Sequence, residues 1–224
     1  MEKETFIKKN KEFFEKWAQF YDIIEIAVKG VRKYIVNLIL NSSNLEILDV
    51  CTGTGSLALK FATMKKHKII GIDLSEEMLT QARDKNKFSK VRFIKGDATE
   101  LPFNNSSKDI CTISFSFHDM PHEIRLEVFK EMFRVTKPTG YIIIADYNRP
   151  QNKLLQQFYF QFTKFYESEF YASWYWNNYF KDFLRMKPVN VLLNKTFRCA
   201  FIRVLVIKPK KNAKLYYVSP SYEN

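Results

Sequence analysis

The sequence has few cysteines and no apolar run long enough to cross a membrane. Its three cysteines, Cys51, Cys111 and Cys199, are odd in number and lack the C-x-x-C spacing of zinc sites. We therefore predict neither a disulfide framework nor a metal site. Apolar runs such as residues 141–145 and 204–207 have the length of strands, well short of the about 20 residues of a membrane span. The N-terminus has no apolar signal core either, so we expect a cytoplasmic protein.

Acidic residues are scarce in the last third of the chain. Residues 151–224 contain 12 Lys and Arg against 4 Asp and Glu, whereas residues 1–150 contain 24 against 20. Of the net charge of +12, the last third therefore carries +8 and the rest of the chain +4. Such an excess is typical of a solvated basic surface, and it also suits contact with nucleic acid or with an anionic membrane surface.

Glycine is sparse as well, and two of the six glycines fall in one turn. Residues 46–50 (EILDV) are short, β-branched and apolar, which predicts a buried strand. Gly53 and Gly55 follow in the run CTGTG, and helical spacing of apolar residues begins at Ser56. A strand, a glycine turn and a helix make the first half of a nucleotide-binding unit, in which a ligand lies against bare backbone. The same pattern also fits a dinucleotide fingerprint and a tight turn without any ligand.

Four more apolar segments predict strands of the same sheet. They are residues 68–73, 91–95, 108–115 and 141–146, and they alternate with helices that begin near Ser75 and Pro121. This alternation predicts an α/β fold with a doubly wound, Rossmann-like, mainly parallel sheet and helices on both faces. In such sheets, ligands bind beyond the carboxyl ends of the strands. The side chains that fall there are Asp49, Asp73, Asp97 and those of residues 114–119.

The C-terminal third differs from the rest of the chain in its aromatic content. Of the 26 residues at 158–183, 14 are Phe, Tyr or Trp, more than one helix can bury against one face of a sheet. We expect this aromatic segment and the N-terminal helices to cover an acceptor pocket. Residues 189–193 and 201–207 predict two terminal strands that pair antiparallel against strand five, which brings the sheet to seven strands.

The chain has no internal repeat and no sharp boundary, so we predict one domain over residues 1–224. A chain of 26.7 kDa is long enough to bury a core of its own. The predicted parts are an N-terminal helical cover (1–44), a cofactor-binding core (45–150), the aromatic segment with the terminal strand pair (151–208), and a polar tail (209–224).

Five segments carry a resemblance to a known family. They are ILDVCTGTG, IIGIDLSEEML, VRFIKGDATELPF, ISFSFHDMP and EMFRVTKPTGYIIIADY. Together they resemble the class I S-adenosylmethionine-dependent methyltransferases, and they are most similar to the ubiquinone/menaquinone-biosynthesis C-methyltransferase branch. The resemblance covers residues 45–150 and implies S-adenosyl-L-methionine as the cofactor.

The resemblance also implies roles for particular residues. Asp49 would orient the methionine ammonium group, Asp73 would bind both ribose hydroxyls, and Asp97 would accept the adenine amine. Ser114 and Phe115 would lie near the transferred methyl group. The full set of implied cofactor contacts is Tyr21, Asp49, Thr52, Gly53, Gly55, Asp73, Leu74, Met78, Asp97, Ala98, Ser114 and Phe115.

Two departures from the family pattern bear on these roles. Cys51 stands where the first glycine of the turn is usual, which is acceptable if its side chain points into the core. The fourth strand lacks the Asn/Asp-Pro-Pro-Tyr/Phe signature with which amine-methylating nucleic-acid enzymes hold a planar amino group. This difference makes nucleic acid an unfavoured partner despite the basic C-terminal third.

Three histidines complete the candidate chemistry. His118, just after the fourth strand, is the candidate general base for a phenol-like acceptor, with Asp119 or His122 as a helper. A histidine at this position also fits a packing role before the helix that follows. His67 lies in a charged stretch, and we expect it at the surface.

The leading hypothesis is a methyltransferase that acts on a small or lipophilic acceptor. A quinol-like ring is among the candidate acceptors, and peripheral contact with a membrane is compatible with them. The alternatives are an RNA methyltransferase or nucleic-acid-binding module, a nicotinamide oxidoreductase with the same glycine turn, and a non-catalytic protein that binds S-adenosylmethionine. Because the fold alone cannot choose among acceptors, ligand binding has to separate these hypotheses.

Overall fold

The computed structural model describes residues 21–42, 44–163, 170–177, 180–197 and 201–210, with side chains from residue 28 onward except at 162, 181 and 186. Within these ranges, the strands are β1 (Glu46–Val50), β2 (Lys68–Asp73), β3 (Val91–Lys95), β4 (Lys108–Ser114), β5 (Thr136–Tyr147), β6 (Val189–Phe197) and β7 (Ile202–Pro209). The helices are α1 (Tyr21–Asn37), α2 (Ser56–Ala62), α3 (Glu76–Lys85), α4 (His122–Val135), α5 (Lys153–Thr163), α6 (Tyr171–Asn177) and α7 (Phe180–Met186), with a 3-10 turn, η1 (Phe117–Asp119), before α4. The predictions for residues 1–20, for Cys199 and for the tail from residue 211 lie outside the described residues.

All seven strands belong to one sheet, in the order β3-β2-β1-β4-β5-β7-β6. Strands β1 to β5 pair in parallel, and β7 runs antiparallel between β5 and β6. From β1 the chain adds strands in one direction as far as β3, then returns to β4 and continues in the other direction. Because crossovers between parallel strands are right-handed, this reversal puts helices on both faces. The predicted fold class, including the antiparallel pairing against β5, is confirmed.

The central strands are apolar because the sheet is covered on both faces. Ile47, Leu48 and Val50 of β1 are at most 1% exposed. Helices α2 and α4 contribute Phe61 and Phe129, whose side chains are fully buried. Near-continuous apolar strands of this kind are what a covered parallel sheet requires, and they leave polar residues to gather at the strand ends.

Two helices begin where the sequence predicts. Ser75 caps α3, since its Oγ accepts a hydrogen bond from the backbone N–H of Met78 at 3.2 Å. Glu76 and Glu77 follow in the first turn, where the helix dipole favours negative charge. Pro121 immediately precedes α4 as its N-cap residue. The loops before these two helices are therefore short, and their backbone groups lie at the ends of β2 and β4.

Most of the aromatic side chains of α6 and α7 belong to the packed core, whereas Phe158 of α5 is exposed, and the predicted cover stays a prediction. Tyr171, Trp174, Tyr175 and Phe183 are each at most 2% exposed. The indole Nε1 of Trp174 donates a hydrogen bond to the backbone carbonyl of Tyr147 in β5 at 2.8 Å. The segment is divided into short helices that fold back on one another, so its rings bury each other.

His67 is buried rather than at the surface, with 1% of its area exposed. It immediately precedes β2, and its Nδ1 accepts a hydrogen bond from the backbone N–H of Leu45 at 3.3 Å. Burial lowers the pKa of the imidazole, and the nearby charges of Lys66 and Lys90 lower it further. The charged sequence around His67 predicted exposure, but the side chain points inward to support the start of β1.

Candidate functional site

A cavity of about 290 Å³ opens at the carboxyl ends of β1 to β4. Its walls are the loops after these strands, together with side chains from α1 and α4. Ligands bind at this position in doubly wound sheets, because the strand order reverses between β1 and β4. Tyr21 begins α1, but its side chain lies outside the described part of the chain, so its contact stays a prediction. Nine predicted contact residues line the cavity: Thr52, Gly53, Asp73, Leu74, Met78, Asp97, Ala98, Ser114 and Phe115.

The two glycines of the turn have different roles. Both have positive φ, 55° at Gly53 and 77° at Gly55, which glycine adopts without a steric penalty. A Cβ on Gly53 would meet no atom within 4 Å, so this glycine leaves open space at the cavity wall. A Cβ on Gly55 would lie 2.6 Å from the ring of Phe93 and 2.9 Å from the Cβ of Ala82. Gly55 does not line the cavity and has a packing role against Phe93 and Ala82, and its predicted cofactor contact stays a prediction.

Asp73 ends β2 with its carboxylate at the cavity wall. Its Oδ2 accepts a hydrogen bond from the backbone N–H of Gly53 at 2.8 Å, and its Oδ1 accepts one from Ser75 at 3.0 Å. Burial raises the pKa of this carboxyl, while the backbone N–H groups of Ser75, Gly53 and Leu74 oppose the rise. The carboxylate is therefore held in one orientation, and each oxygen can accept a further hydrogen bond from a hydroxyl.

Asp49 lies beneath the cavity and does not line it. Its side chain is 1% exposed, Oδ1 accepts a hydrogen bond from Thr112 Oγ1 at 2.6 Å, and Oδ2 accepts one from Thr52 Oγ1 at 2.7 Å. Burial raises the pKa of Asp49, and the two hydroxyls and the charge of Arg32 act in the opposite direction. Asp49 fixes Thr52, which faces the cavity. Its predicted role of orienting an ammonium group through the turn stays a prediction.

Asp97 follows β3 and faces the same cavity as Asp73. Its Oδ1 accepts hydrogen bonds from both the backbone N–H and the Oγ1 of Thr99, at 2.8 Å and 2.7 Å. Bonds to a residue two positions further on form an Asx turn, which holds the carboxylate without help from distant elements. The ends of the adjacent strands β2 and β3 thus present two oriented carboxylates to one space.

Cys51 has a φ of 53°, in the left-handed region that favours glycine. A residue with a Cβ is less stable there by about 1–2 kcal/mol. Cys51 packs against the hydrophobic core and is also one of the residues that line the cavity. Burial raises the pKa of the thiol well above its usual value, and the carboxylates of Asp73, Asp49 and Asp97 raise it further. The thiol is therefore protonated at neutral pH and a poor nucleophile.

Sequence reasoning missed two cations of the cavity wall, Arg32 and Lys95. Lys95 ends β3, two residues before the predicted contact Asp97. Arg32 comes from α1, within the stripe formed by the buried residues Val28, Val31 and Ile35. A charge on the packed face of an amphipathic helix was the signal that could have identified Arg32.

The end of the cavity next to α4 is apolar. Met120, Ile124 and Val128 line it together with Phe115. Phe115 has a φ of 54°, and its ring packs edge-on against Tyr147 with centroids 5.7 Å apart. The cavity therefore has a polar end bounded by acids and an apolar end that suits a flat or greasy molecule.

His118 is 2% exposed and does not line the cavity, although Asp119 beside it does. Its Nδ1 lies 2.6 Å from Asp146 Oδ1, and its Nε2 lies 3.1 Å from Asp119 Oδ2. Both ring nitrogens therefore face carboxylates of the protein. Asp119, predicted as the helper of His118, is the member of the pair at the cavity wall, and a base role for His118 stays a prediction.

Residues 3–202 match the family model described as the ubiE/COQ5 methyltransferase family. The chain belongs to this family. The demethylmenaquinone methyltransferase of Bacillus subtilis (strain 168) is 33% identical over 162 residues, which cover 68% of this chain and 69% of that protein. The demethylmenaquinone methyltransferase of Staphylococcus epidermidis (strain ATCC 12228) is 32% identical over 160 residues, 68% of this chain and 66% of that protein.

The ubiquinone/menaquinone biosynthesis C-methyltransferase UbiE of Rickettsia prowazekii is also similar. It is 33% identical over 154 residues, which cover 65% of this chain and 61% of that protein. The chain thus spans about two thirds of the length of the curated relatives that it matches.

Solved structures share the fold at lower identity. The magnesium protoporphyrin IX methyltransferase of Synechocystis PCC 6803, solved with bound SAH, aligns with a TM-score of 0.70 at 14% identity, over 91% of this chain and 99% of that chain. A SAM-dependent methyltransferase from Aquifex aeolicus aligns with a TM-score of 0.60 at 19% identity, over 79% of this chain and 88% of that chain. At these identities the likeness concerns the fold alone.

The polar end of the cavity fits S-adenosylmethionine, the cofactor of ubiE/COQ5-type methyltransferases. This cofactor has a sulfonium and an ammonium group but no phosphate, and the wall of this end contains Asp73 and Asp97. The open space at Gly53 lets a ligand approach the backbone closely. Arg32 supplies a positive charge that suits a carboxylate group.

Proposed function

We propose that this chain binds S-adenosylmethionine and transfers its methyl group to a ring carbon of a quinol-like, lipophilic acceptor. The observation that carries the proposal is the joint placement of the Gly53 turn, Asp73 and Asp97 at one cavity with an apolar far end. Membership of the ubiE/COQ5 family and the names of the relatives support the class of acceptor.

Each polar group of the wall suits one part of the cofactor. Asp73, with both oxygens oriented by backbone N–H groups, would accept hydrogen bonds from the two ribose hydroxyls. Asp97 would accept a hydrogen bond from the adenine amine, with Ala98 beside the ring. Arg32 would pair with the methionine carboxylate, because its charge acts on Asp49 and so lies close to the glycine turn.

When bound, the cofactor supplies a methyl group on a cationic sulfur that leaves as a neutral thioether. The protein contributes alignment, because in-line displacement is fast only when donor and acceptor are held in line. Phe115, Met120 and Ile124 form the apolar wall against which a flat ring can lie. The same wall excludes water, which would otherwise solvate the developing nucleophile.

Calorimetry and a transfer assay test the proposal. We expect S-adenosylmethionine and S-adenosylhomocysteine to bind and NAD(H) not to bind. A short-chain demethylmenaquinol should gain one methyl group by mass spectrometry when deuterium-labelled S-adenosylmethionine is supplied. Binding without transfer to any quinol would indicate a non-catalytic cofactor-binding protein, and NAD(H) binding alone would support the oxidoreductase alternative. Salt-sensitive RNA binding with methylated RNA would support the nucleic-acid alternative.

Peripheral membrane contact is part of the proposal, because the acceptor is lipophilic. Leu154 and Phe158 lie one turn apart on α5 and are 83% and 64% exposed. Residues 147–163 contain two basic residues, Arg149 and Lys153, both exposed, and no acidic residue. An exposed apolar pair flanked by basic charge suits an anionic lipid surface. No helix in the described ranges is long and apolar enough to span a membrane, and a cytoplasmic location stays a prediction.

Vesicle sedimentation tests this contact. We expect binding to vesicles that contain phosphatidylglycerol and weak binding to pure phosphatidylcholine, with loss in the double variant Leu154→Ser, Phe158→Ser. Leu192→Ser is the matched control, because Leu192 is also an exposed apolar residue, at 54%, but lies in the edge strand β6. Equal binding of the double variant and the control would show that α5 is not the contact.

A further inference from the structure

We propose that Asp119 is the group that takes the hydroxyl proton of the acceptor, and that His118 and Asp146 hold it in place as a buried carboxylate–imidazole–carboxylate chain. The inference rests on the proposed function for its substrate. It differs from the sequence prediction, in which His118 itself was the base. Asp119 is assigned as the catalytic residue, and His118 and Asp146 as positioning residues.

The three side chains form one continuous chain of contacts. His118 Nδ1 lies 2.6 Å from Asp146 Oδ1, and His118 Nε2 lies 3.1 Å from Asp119 Oδ2. All three are at most 2% exposed, so water competes little for these contacts. Of the three, Asp119 is the one that lines the cavity, and its two carboxylate oxygens are buried just beneath the wall. Proton transfer to Asp119 therefore requires this carboxylate to turn toward the cavity when the acceptor binds.

This geometry provides a place for one exchangeable proton. A neutral imidazole carries a hydrogen on one ring nitrogen only, so it can donate to Asp146 or to Asp119 but not to both. With one more proton, the ring donates to both carboxylates, or Asp119 donates to the ring. The contact between Asp119 and His118 therefore stores a proton that Asp119 accepts from the cavity side.

Asp146, at the far end of the carboxylate–imidazole–carboxylate chain, is held by backbone N–H groups. Asp146 Oδ2 accepts a hydrogen bond from the N–H of Phe117 at 3.0 Å, and Oδ1 accepts one from the N–H of Tyr147 at 2.7 Å. Because Asp146 is held at both oxygens, it holds the imidazole ring in one orientation. The same second-carboxylate arrangement orients a histidine in other enzymes, where it stabilises the protonated ring.

The groups around the imidazole come from three elements. Tyr147 of β5 and Tyr171 of α6 pack edge-on against the ring, with centroids 4.7 Å and 6.0 Å away. Arg125 of α4 is buried and donates from Nε to the Phe117 carbonyl at 2.7 Å, which fixes the turn that carries His118. Among the described residues, Asp119 and Asp146 contact the ring, and Arg125 binds the backbone of the turn that carries it.

The proposed step conserves atoms and charge. The acceptor's ring hydroxyl gives its proton to Asp119, and the electron pair left on oxygen makes the neighbouring ring carbon nucleophilic. That carbon forms a bond to the methyl group as the bond between methyl and sulfur breaks, and sulfur keeps the electron pair. The ring carbon then loses its hydrogen as a proton and the hydroxyl is restored, so one proton in total leaves the site.

The test compares Asp119→Asn with Glu123→Gln, an exposed acid in the first turn of α4 that does not line the cavity. We expect both variants to bind S-adenosylmethionine within about threefold of wild type by calorimetry. Methyl transfer should fall about 100-fold or more in Asp119→Asn only, as for loss of a general base. The wild-type rate should rise with pH through a one-proton step, and Asp119→Asn should lose that rise.

Nitrogen-15 NMR of the imidazole rings gives a readout that does not depend on turnover. With three histidines in the sequence, the His118 signals can be assigned by His118→Asn. We expect both His118 nitrogens to be protonated below the pH at which the rate rises, and Nε2 to lose its proton in Asp119→Asn. A wild-type Nε2 without a proton over about pH 5 to 9 would overturn the proposal. So would Asp119→Asn with wild-type transfer rates.

The two proposals fail in different ways. If wild type neither binds S-adenosylmethionine nor methylates a quinol, the proposed function is wrong. The NMR result still decides whether the side chains of Asp119, His118 and Asp146 store a proton. If wild type methylates a quinol and Asp119→Asn does so equally well, the proposed function stands and the role of Asp119 is wrong.

Discussion

In the loops after β1 to β4, a polar side chain is held by backbone groups close to it in sequence or in the next loop. Asp73, for example, accepts a hydrogen bond from the backbone N–H of Ser75 at 3.0 Å. In the segment after β5, the contacts join aromatic rings that are far apart in sequence, such as Phe183 and Phe129, with centroids 4.9 Å apart. The first region orients groups toward a cavity and the second buries apolar area. Changes in the first should therefore alter ligand binding, and changes in the second should alter stability.

The largest effect is expected from Phe183→Ala in the second region. Phe183 is fully buried and also contacts Phe117, with ring centroids 4.7 Å apart. Truncation of a buried phenylalanine leaves a cavity, so we expect the free energy of unfolding to fall by about 3–5 kcal/mol. Urea denaturation measures this change directly.

Phe158→Ala is the matched control, because Phe158 belongs to the same aromatic segment but is 64% exposed. We expect its free energy of unfolding to stay within about 0.5 kcal/mol of wild type. Hydrogen exchange of residues 170–177 and 180–186 should be equally slow with and without S-adenosylhomocysteine, as for packed core. Exchange that slows only when the ligand binds would support the predicted cover and contradict the assignment of these helices to packed core.

The second effect separates the two glycines of the turn. In Gly55→Ala the new Cβ meets Phe93 and Ala82 and the φ of 77° is retained, so we expect a loss of about 2–5 kcal/mol in the free energy of unfolding. In Gly53→Ala only the φ of 55° is unfavourable, and the loss should be about 1–2 kcal/mol.

S-adenosylmethionine affinity should respond in the opposite order. The Cβ in Gly53→Ala stands in open space at the cavity wall, whereas Gly55 does not line the cavity. We therefore expect Gly53→Ala to weaken binding more than Gly55→Ala at a temperature where both variants are folded. The opposite ranking would mean that Gly55, as the sequence predicted, is the cofactor contact.

The sequence predicted those parts of the site that depend on neighbours in the chain. The predicted strand ends and short loops identified Asp73 and Asp97. Their hydrogen-bond donors are two residues away or in the adjacent glycine turn. The sequence does not distinguish Gly53 from Gly55. What distinguishes them is the ring of Phe93 in β3, which lies against Gly55 only. No local pattern contains that information.

Asp49 and the aromatic segment could not be interpreted for the same reason. The hydroxyl that binds the Asp49 carboxylate below the cavity belongs to Thr112 in β4. The carboxylate that contacts His118 Nδ1 belongs to Asp146 in β5. The number of aromatic residues indicated that the segment was unusual, but it could not say which rings face each other. Composition predicts how much apolar area there is, and tertiary contacts decide where it is buried.

The third effect concerns ligand binding, with some loss of stability because the backbone N–H groups of Gly53 and Ser75 lose their acceptor. Asp73→Ala removes an oriented carboxylate, and charge-assisted hydrogen bonds are worth about 1.5–3 kcal/mol each, so we expect S-adenosylmethionine to bind about tenfold more weakly or worse. Asp97→Asn keeps an acceptor oxygen and should bind better than Asp97→Ala. Asp84→Ala, an exposed acid on α3, is the control and should bind like wild type. Wild-type affinity in Asp73→Ala, with an intact circular dichroism spectrum, would remove Asp73 from the site.

The smallest effect tests a buried residue at the amino ends of β1 and β2, away from both regions. His67 is buried, and burial together with Lys66 and Lys90 lowers its pKa in the folded state. Below the ordinary imidazole pKa the unfolded chain binds a proton that the folded chain binds less readily, so stability should fall as the pH is lowered through this range. The slope from one such group cannot exceed about 1.4 kcal/mol per pH unit. In His67→Asn the side-chain oxygen can still accept the hydrogen bond of Leu45 N–H but does not titrate, and the difference from wild type should shrink as the pH falls from about 7.5 to 5.5. A difference that is constant with pH would show that His67 does not titrate differently in the two states.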